Sequence, residues 1–453
     1  MSDRIIILGG GESGTGAALL AKGKGYDVFV SDQGLIKEKY KAELTQNNIS
    51  FEEGQHTPEN ILNGTIVIKS PGIPDKTEII KKIKAAGISI IDEIEFAFLH
   101  TTAKVIAITG TNGKTTTTLL TYHLMKSAGF NVGLAGNVGF SMARQVAQQK
   151  LDWFVLEVSS FQLDGIKSFK PEVAILLNIT PDHLDRYEYN MQNYIDSKFS
   201  IIKNMTGAQH FIYYADDDVI AKELSKSKVT PKQLSVSLKS ESSSPLKFDG
   251  EKMNFNLADK FSIKQSETTL NGPHNLINTM AAVSAASIAG VSLNSIKEGL
   301  KTFKNAPHRL ELVATINGIE FINDSKATNV DSVVYALGSY EKPLVWIAGG
   351  VDKGNDYNII KDAVRKKARA LICLGKENDK LKKAFGDVVQ TIKETQSVHE
   401  LVRIALQVAE AGDVVQLSPA CASFDLFKNY EDRGDQFRKE VLELKKEVEG
   451  HLV

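Results

Sequence analysis

The sequence predicts an α/β protein of three domains. Three times along the chain, a short apolar run leads directly into a glycine-containing loop: RIIILGGGESGTG at 4–16, KVIAITGTNGKTT at 104–116 and PLVWIAGGVDKG at 343–354. A continuous apolar run of this length is typical of a strand in a parallel sheet that helices cover on both faces. At about 150 residues per domain, a chain of 453 residues has room for three such units.

Two changes of pattern predict the domain boundaries. A helical pattern ends at FAFLHTTAK before the second strand, and an amphipathic helix ends around Phe303, before FKNAPHRLE. We therefore expect a Rossmann-like domain over 1–100, a central mononucleotide-binding domain with a phosphate loop over 101–305, and a Rossmann-like domain over 306–453. The polar stretch at 238–270 contains short alternating runs, which predict surface hairpins within the central domain.

The amino-acid composition argues against several classes of protein. Lys and Arg total 54 against 55 Asp and Glu, and this balance gives no support to nucleic acid or an anionic membrane as the main partner. Cys373 and Cys421 are isolated in apolar or small-residue stretches, so we expect buried thiols rather than a disulfide or a metal site. The chain has no apolar run of about 18 residues and no signal-peptide core. We therefore expect a cytoplasmic protein without membrane insertion.

The first glycine loop predicts a diphosphate site. Gly9, Gly11 and Gly14 fit G-x-G-x-x-G between a strand and a helix, and Asp32 ends the next apolar run. Glycines allow the backbone to approach a diphosphate, the helix N-terminus favours its charge, and Asp32 could accept from a ribose hydroxyl. These residues fit NAD and a nucleotide-sugar diphosphate equally well. The alternative is that the glycines only make a tight turn.

The central loop, AITGTNGKTTTTLL, is similar to a phosphate-binding loop that lacks its first glycine. The usual pattern places a glycine five residues before Gly113, where this chain has Ile108. Lys114 can still neutralise a phosphate, and the Thr115 hydroxyl can serve a magnesium ion. The dipole of the following helix favours an anion at the same place. The predicted nucleotide-binding residues are Gly110, Thr111, Asn112, Gly113, Lys114, Thr115 and Thr116.

Two further apolar runs end in polar residues. Glu157 ends WFVLE, and His183 lies in the polar segment that follows VAILLN. Sites in α/β proteins collect at the carboxyl ends of strands, so Glu157 and His183 are candidates for metal or phosphate contacts. The alternative for His183 is an ordinary surface or core residue.

Lys198 is the most informative lysine. In a helix it shares the apolar stripe with Tyr194, Ile195 and Ile202. Such a lysine either extends its ammonium to solvent or has a lowered pKa. A neutral lysine can react with carbon dioxide to form a carbamate, which would be an oxygen ligand for magnesium.

Taken together, these segments resemble the Mur ligases of peptidoglycan synthesis. The resemblance runs in order through GTNGKTT, GNVG, LEVSSFQL, NITPDHLDRY, HNLIN, PHRLE and NDSKATN to LSPACASFDLFKNYEDRGDQF. Those enzymes share the shortened phosphate loop. LEVSSFQL, NDSKATN and SPACASFDLF are most similar to the members that add D-glutamate. The alternatives are an amide ligase that uses another amino acid or a folate, and a nucleotide-binding regulatory module without catalysis.

The resemblance implies a reaction and its partners. ATP phosphorylates the carboxylate of UDP-N-acetylmuramoyl-L-alanine, and the amine of D-glutamate attacks the acyl phosphate to form an amide. Two Mg²⁺ ions and a monomeric enzyme are expected. The implied catalytic residues are Lys114, Glu157, His183 and Lys198, and the implied metal ligands are Thr115, Glu157, His183 and carbamylated Lys198.

The resemblance also implies three sets of binding residues. ATP would be contacted by the central loop together with Asn278, Arg309 and Asp324. The UDP-linked substrate would be bound by Glu12, Ser13, Asp32, Ser70, Gly72, Asn137 and His183. The amino acid would be bound by Lys326, Thr328, Lys353, Ser423 and the backbone around Tyr430. The chain departs from the family pattern after Asp32, where Gln33 and Gly34 stand and no arginine is present to hold the diphosphate.

Overall fold

A computed structural model describes residues 3–226, 228–352 and 354–450. The predicted amino-acid contact Lys353 therefore lies outside the described residues. The chain forms two compact units, one extending to Thr269 and including Ile277–Phe303, the other comprising Leu270–Leu276 and the chain from Lys304 onward. The described residues contain three sheets, with helices between their strands. In these ranges, no helix combines the length and apolar character needed to cross a membrane.

The first sheet has five parallel strands in the order β3-β2-β1-β4-β5. Its strands are β1 Arg4–Leu8, β2 Asp27–Asp32, β3 Ser50–Glu53, β4 Ile66–Lys69 and β5 Ser89–Ile91. The helices are α1 Glu12–Gly23, α2 Glu38–Gln46, α3 Pro58–Ile61, α4 Glu78–Ala85 and α5 Glu93–Leu99. The strand order reverses at β1, so the predicted glycine loop follows the switch point where such sheets bind ligands.

The second sheet has nine strands in the order β14-β13-β12-β11-β10-β9-β6-β8-β7. The strands are β6 Lys104–Thr109, β7 Val132–Gly136, β8 Trp153–Glu157, β9 Val173–Leu176, β10 His210–Tyr214, β11 Lys232–Ser237, β12 Leu246–Phe248, β13 Lys252–Asn256 and β14 Lys260–Lys264. The helices in this part of the chain are α6 Lys114–Ser127, α7 Met142–Gln148, α8 Ser160–Leu163, α9 Met191–Phe199, α10 Asp218–Lys226, α11 Pro273–Ala289 and α12 Leu293–Thr302. Strands β12 to β14 pair antiparallel, which confirms the predicted hairpins.

Buried carboxylates join the first two sheets within one unit. Glu93, at the start of α5, accepts hydrogen bonds from the Ser141 hydroxyl at 2.7 Å and the Ala143 amide at 2.5 Å. Glu95 accepts from three consecutive backbone amides at 167–169, at 2.7 to 3.0 Å. Both glutamates are buried. Because buried carboxylates need such partners, these bonds fix α5 against the central part of the chain.

The third sheet has six strands in the order β15-β16-β20-β17-β18-β19, of which only the edge strand β15 is antiparallel to its neighbour. The strands are β15 Glu311–Ile316, β16 Ile319–Asn323, β17 Leu344–Ala348, β18 Ala368–Leu374, β19 Thr391–Thr395 and β20 Val414–Leu417. The helices are α13 Val330–Gly338, α14 Asn358–Lys367, α15 Asp379–Phe385, α16 Val398–Val408 and α17 Tyr430–Gly450. Both cysteines are buried thiols, as expected. The three sheets confirm the predicted α/β class.

Candidate active site

The phosphate-binding loop connects β6 to α6. Gly113 has φ of 83°, in the left-handed region. A Cβ atom at Gly113 would lie 2.4 Å from Oδ1 of Asn278, so only glycine fits this position. Asn278, a predicted ATP contact, thus lies against the loop. Ile108 is buried within β6 and pairs with Ile175. The position of the absent glycine therefore belongs to the sheet, and the loop begins at Gly110.

Lys114 folds back over this loop. Its Nζ donates to the carbonyl oxygens of Gly110 at 2.8 Å and Thr111 at 2.7 Å. The side chain is half-buried at the first turn of α6, beside Thr115. A cation and the positive end of a helix dipole therefore lie at one point, which suits a phosphate.

Asn178 holds the loop in place, and sequence reasoning did not count it among the site residues. Its Oδ1 accepts from the Asn112 amide at 2.8 Å, and its Nδ2 donates to the Asn112 carbonyl at 3.1 Å. The Thr111 amide donates to the Asn178 carbonyl at 2.9 Å. The only sequence signal was an asparagine at the end of a buried apolar run, because these contacts span 66 positions of the chain.

Lys198 is buried beneath the same loop. The residue is 1% exposed, and its Nζ donates to the Gly110 carbonyl at 2.8 Å and lies 4.6 Å from the centre of the Tyr194 ring. Tyr194 and Ile195 are buried on α9 with Lys198, whereas Ile202 lies beyond the end of the helix and is half-buried. The alternative of an ammonium extended to solvent is wrong. Burial lowers the pKa of Lys198 well below its ordinary value, and the nearby charge of Lys114 lowers it further.

Glu157 and Asn137 come together at the ends of β8 and β7. Asn137 Nδ2 donates to Glu157 Oε1 at 2.9 Å, and the backbone amide of Asn137 donates to the Glu157 carbonyl at 2.8 Å. Glu157 is 2% exposed, and in the part of the chain that the structure describes its Oε2 has no hydrogen-bond partner. A buried carboxylate oxygen without a donor fits a bound cation.

His183 occupies a different environment from Glu157 and Lys198. It is exposed, with φ of 51°, and its ring contacts Asp182 at 3.5 Å and the Phe161 ring at 5.2 Å. Among the described residues, no group of three or more His, Cys, Asp and Glu side chains is arranged to hold a metal ion. The structure thus does not bring His183 into contact with the other predicted ligands.

The turn that contains His183 is connected to the first sheet. Arg186 donates to the carbonyl oxygens of Pro71 at 3.1 Å and Gly72 at 3.4 Å, and its guanidinium lies 4.3 Å from the centre of the Phe161 ring. Pro71 and Gly72 belong to the predicted UDP-binding turn. Arg186 therefore joins two segments that the sequence assigned separately to the same substrate.

A cavity of about 670 Å³ opens at the carboxyl ends of β1 and β2. The predicted contacts Asp32, Ser70 and Gly72 line it, together with Gly9 and Gly11 of the first glycine loop. Asp32 accepts from the Gly10 amide at 2.6 Å and the Gly34 amide at 2.8 Å, which fixes both loops at its mouth. A cavity of this volume at the carboxyl ends of parallel strands suits a small-molecule ligand.

Glu12 and Ser13 are placed differently from the other predicted UDP contacts, because neither lines this cavity. Instead, Glu12 forms an ion pair with Arg144 at 2.7 Å, and Arg144 also contacts Glu43. The carboxylate of Glu12 is therefore engaged by a cation of the central domain. No local pattern predicts this pair, since it joins residues 132 positions apart.

Three loops of the second unit meet at one edge of the third sheet. They follow the adjacent parallel strands β16, β20 and β17, and hydrogen bonds join them, including Ala420 N to Ala327 O at 2.9 Å. Lys326 Nζ donates to the Tyr430 hydroxyl at 2.5 Å, and Ser423 is buried in the loop after β20. The predicted contacts Lys326, Thr328, Ser423 and Tyr430 therefore belong to the loops at this edge and the first turn of α17.

Arg433, which sequence reasoning missed, stabilises the same edge. It is 1% exposed and donates to the Ser325 hydroxyl and carbonyl, both at 2.9 Å, and to the carbonyl oxygens of Gly349 and Cys421. The guanidinium thus binds one loop from each of the three strands. An arginine in YEDRGDQF was visible in the sequence, but no periodicity indicated that it would be buried.

Asp324 begins the loop after β16. Its carboxylate accepts from the Ser418 hydroxyl at 2.8 Å and the Leu310 amide at 3.2 Å, next to Arg309. Burial raises the pKa of Asp324 to about 7, against the lowering effect of these donors. The two predicted nucleotide contacts in this unit, Arg309 and Asp324, are thus neighbours in space.

The fold defines an α/β protein with three sheets and a glycine loop between β6 and α6, and the comparisons identify its family. Residues 4–79 match the MurD N-terminal domain, residues 108–286 the Mur ligase middle domain, and residues 308–421 the Mur ligase, glutamate ligase domain. The chain belongs to the Mur ligase family.

Full-length relatives are similar along the whole chain. The UDP-N-acetylmuramoylalanine--D-glutamate ligase of Cytophaga hutchinsonii is 52% identical over 448 residues, covering 98% of this chain and 100% of the relative. The enzyme of the same name from Bacteroides thetaiotaomicron is 50% identical, covering 97% of this chain and 100% of its own length.

Solved structures support the fold at lower identity. A pseudomurein peptide ligase type C from Methanothermus fervidus superposes with a TM-score of 0.64 at 20% identity, covering 98% of this chain and 100% of that one. A MurF ligase from Thermotoga maritima in complex with ADP gives a TM-score of 0.61 at 15% identity, covering 94% and 99%. At such identities, the likeness shows the three-domain architecture.

Proposed function

We propose that this protein is an ATP-dependent amide ligase that joins D-glutamate to UDP-N-acetylmuramoyl-L-alanine during peptidoglycan precursor synthesis. The observation that carries the proposal is the convergence of Lys114 and Lys198 on the Gly110 carbonyl of the phosphate loop. The relatives whose names state this reaction are similar over almost the full chain, which supports the choice of substrates.

The reaction has two steps. A carboxylate oxygen of the substrate attacks the γ-phosphorus of ATP, the bond to ADP breaks, and an acyl phosphate forms. The amine of D-glutamate then attacks the acyl carbon, phosphate leaves, and the new amide nitrogen loses its proton. Positioning and charge stabilisation are the main demands of phosphoryl transfer. We propose that Lys114 neutralises the negative charge of the transferring phosphate. Its hydrogen bonds to the carbonyl oxygens of Gly110 and Thr111 hold it over the loop.

We propose Thr115, Glu157, His183 and carbamylated Lys198 as ligands of two Mg²⁺ ions. Bound Mg²⁺ would shield the phosphate oxygens during transfer. Glu157 is buried, and its Oε2 has no hydrogen-bond partner among the residues that the structure describes, which supports its assignment. The burial of Lys198 supports a carbamate, because burial and the charge of Lys114 lower its pKa and so favour the neutral amine that reacts with carbon dioxide. The assignment of His183 as a ligand depends on the family resemblance, because its exposed position neither supports nor opposes metal binding.

The binding residues divide among the domains. We propose that the cavity after β1 and β2 takes the uridine diphosphate through Asp32, Ser70 and Gly72, with Asn137 and His183 toward the muramoyl group. Asn278, Arg309 and Asp324 would contact ATP. Lys326, Thr328, Lys353, Ser423 and the backbone at Tyr430 would bind D-glutamate, whose two carboxylates suit lysine and hydroxyl donors. For Glu12 and Ser13, we propose a supporting role near this site, given the Arg144 ion pair.

We further propose that the enzyme acts as a monomer in the cytoplasm, where ATP and UDP-linked sugars are available. Size-exclusion chromatography with light scattering tests the first point, since a stable dimer of the purified chain would contradict it.

An oxygen-transfer experiment tests the reaction. The alanyl carboxylate of the UDP-linked substrate is labelled with ¹⁸O and incubated with the enzyme, ATP, Mg²⁺ and D-glutamate. An acyl phosphate requires that one ¹⁸O atom appear in the released phosphate and one remain in the amide product. Mass spectrometry measures both. Phosphate without label, or no amide product, would contradict the proposal.

A further inference from the structure

The cavity at the carboxyl ends of β1 and β2 contains a histidine to which no role has been assigned. His56 lines the cavity, together with Asp32, Gln33, Pro58, Ile73 and Pro74. The imidazole is half-buried at the segment between β3 and α3. Proline and isoleucine side chains beside it offer apolar surfaces for a flat ring, while the glycine loop lies at the same cavity. His56 is thus a candidate for recognising the base of the nucleotide.

A chain of hydrogen bonds fixes the tautomer of His56. The Ser31 hydroxyl lies 2.7 Å from Glu52 Oε1 and 2.7 Å from His56 Nδ1. Glu52 also accepts from the Thr57 amide at 2.9 Å, and these donors lower its pKa against the effect of burial. The carboxylate can only accept, so the single hydroxyl hydrogen of Ser31 points to Glu52. The Ser31 oxygen must then accept from His56, and Nδ1 carries the hydrogen.

This arrangement leaves Nε2 of His56 as a hydrogen-bond acceptor. Burial lowers the pKa of His56, which favours the neutral ring. Among the described residues, the hydrogen bond of His56 uses Nδ1 and none uses Nε2. Uracil carries a hydrogen on ring nitrogen N3, whereas cytosine has a lone pair there. A fixed acceptor at this position therefore distinguishes the two bases.

We propose that His56 selects uridine nucleotides by accepting the N3 hydrogen of uracil at Nε2, with Ser31 and Glu52 holding the tautomer. This inference rests on the proposed function, because it assumes that the cavity takes the UDP end of the substrate. His56 would determine the base specificity of the substrate site, and the proposed catalytic residues stay unchanged.

Isothermal titration calorimetry of the full chain with UDP and with CDP tests the proposal. The wild type should bind UDP at least about tenfold more tightly than CDP, since each misplaced hydrogen bond also leaves a polar atom unpaired. In His56→Ala and His56→Leu, the second of which preserves packing volume, the ratio should fall to about twofold or less. Lys82→Ala is the matched control: Lys82 lines the same cavity, and its loss should weaken both nucleotides without changing their ratio.

The outcomes separate the two proposals. If both His56 variants keep the wild-type ratio of UDP to CDP affinity, or if the wild type binds both nucleotides equally, the role of His56 is overturned. The proposal of a UDP-linked substrate is then unaffected. A wild type that binds neither nucleotide would overturn both the base recognition and the proposed substrate. Loss of the ratio in the His56 variants alone supports the proposal.

Discussion

The Nζ atom of Lys198 donates to the carbonyl oxygen of Gly110 at 2.8 Å. Lys114 donates to the same oxygen at the same distance, so one backbone carbonyl of the phosphate loop accepts from two lysines. Two ammonium groups this close repel each other where solvent is excluded. Lys198 is 1% exposed, and its pKa is lowered well below the ordinary value by burial and further by the charge of Lys114. One lysine is suited to bind phosphate, and the other to react as a neutral amine.

Lys114→Ala should reduce ligase activity by about 100-fold or more, because the loss of one preorganised charge at such a site has this order of effect. The exposed Lys126→Ala, in the last turn of the same helix, is the control and should leave activity within about twofold. Initial rates of ADP formation measure both variants. Near-normal activity of Lys114→Ala would mean that the phosphate binds elsewhere.

Lys198→Ala should be nearly inactive, and acetate or formate should partly restore it by supplying the missing carboxylate oxygen. The nearby Lys203→Ala, an exposed residue, should retain activity and show no response to these anions. Carbon-13 NMR of wild-type enzyme in ¹³C-bicarbonate should show a carbamate signal that Lys198→Ala lacks. A wild-type spectrum without that signal would refute carbamylation, even if the variant is inactive.

Asn178→Ala should weaken ATP binding, because both of its amide contacts with Asn112 are lost and the loop becomes less ordered. We expect the KM for ATP to rise by about tenfold, in line with the loss of two hydrogen bonds to a half-buried backbone. The KM for the UDP-linked substrate should change much less. An equal rise in both would indicate general unfolding rather than a loosened phosphate loop.

Glu93 should make stability depend on pH. Burial raises its pKa from 4.5 to about 7 in the folded chain. The folded protein then holds this proton more tightly than the unfolded chain, so the contribution is complete below pH 4.5 and is lost as the pH rises through about 7. The loss amounts to at most about 3 kcal/mol.

Glu93→Gln removes this titration, and urea unfolding between pH 5 and 8 checks the result. The free energy of unfolding of the wild type should fall relative to the variant as the pH rises. The exposed Glu59→Gln should follow the wild type. Parallel curves for wild type and Glu93→Gln would show that Glu93 ionises normally.

The sequence pattern predicted those strands and helices that are determined by neighbouring residues along the chain. The apolar runs identified β1, β6, β8 and β17, and helical spacing placed Lys198 on a buried stripe, because strand and helix periodicity depend on neighbouring residues. The shortened phosphate loop also followed from its sequence alone.

Contacts between residues far apart in the sequence could not be predicted from local periodicity. Asn178 supports a loop 66 positions away, Glu12 pairs with Arg144 across 132 positions, and Arg433 is buried among three loops. Polar residues are usually exposed, so composition alone gave no reason to bury Arg433. These contacts depend on how strands are ordered in the sheets, which local periodicity does not specify.

The central claim is the identity of the acceptor, and a panel of amino acids tests it most directly. Purified enzyme is supplied with ATP, Mg²⁺ and UDP-N-acetylmuramoyl-L-alanine, and phosphate release is measured with D-glutamate, L-glutamate, meso-diaminopimelate or no amino acid, with product masses determined in parallel. We predict rapid release and a D-glutamyl amide with D-glutamate alone. Equal or faster turnover with another amino acid, or phosphate release that needs no UDP-linked substrate, would contradict the account.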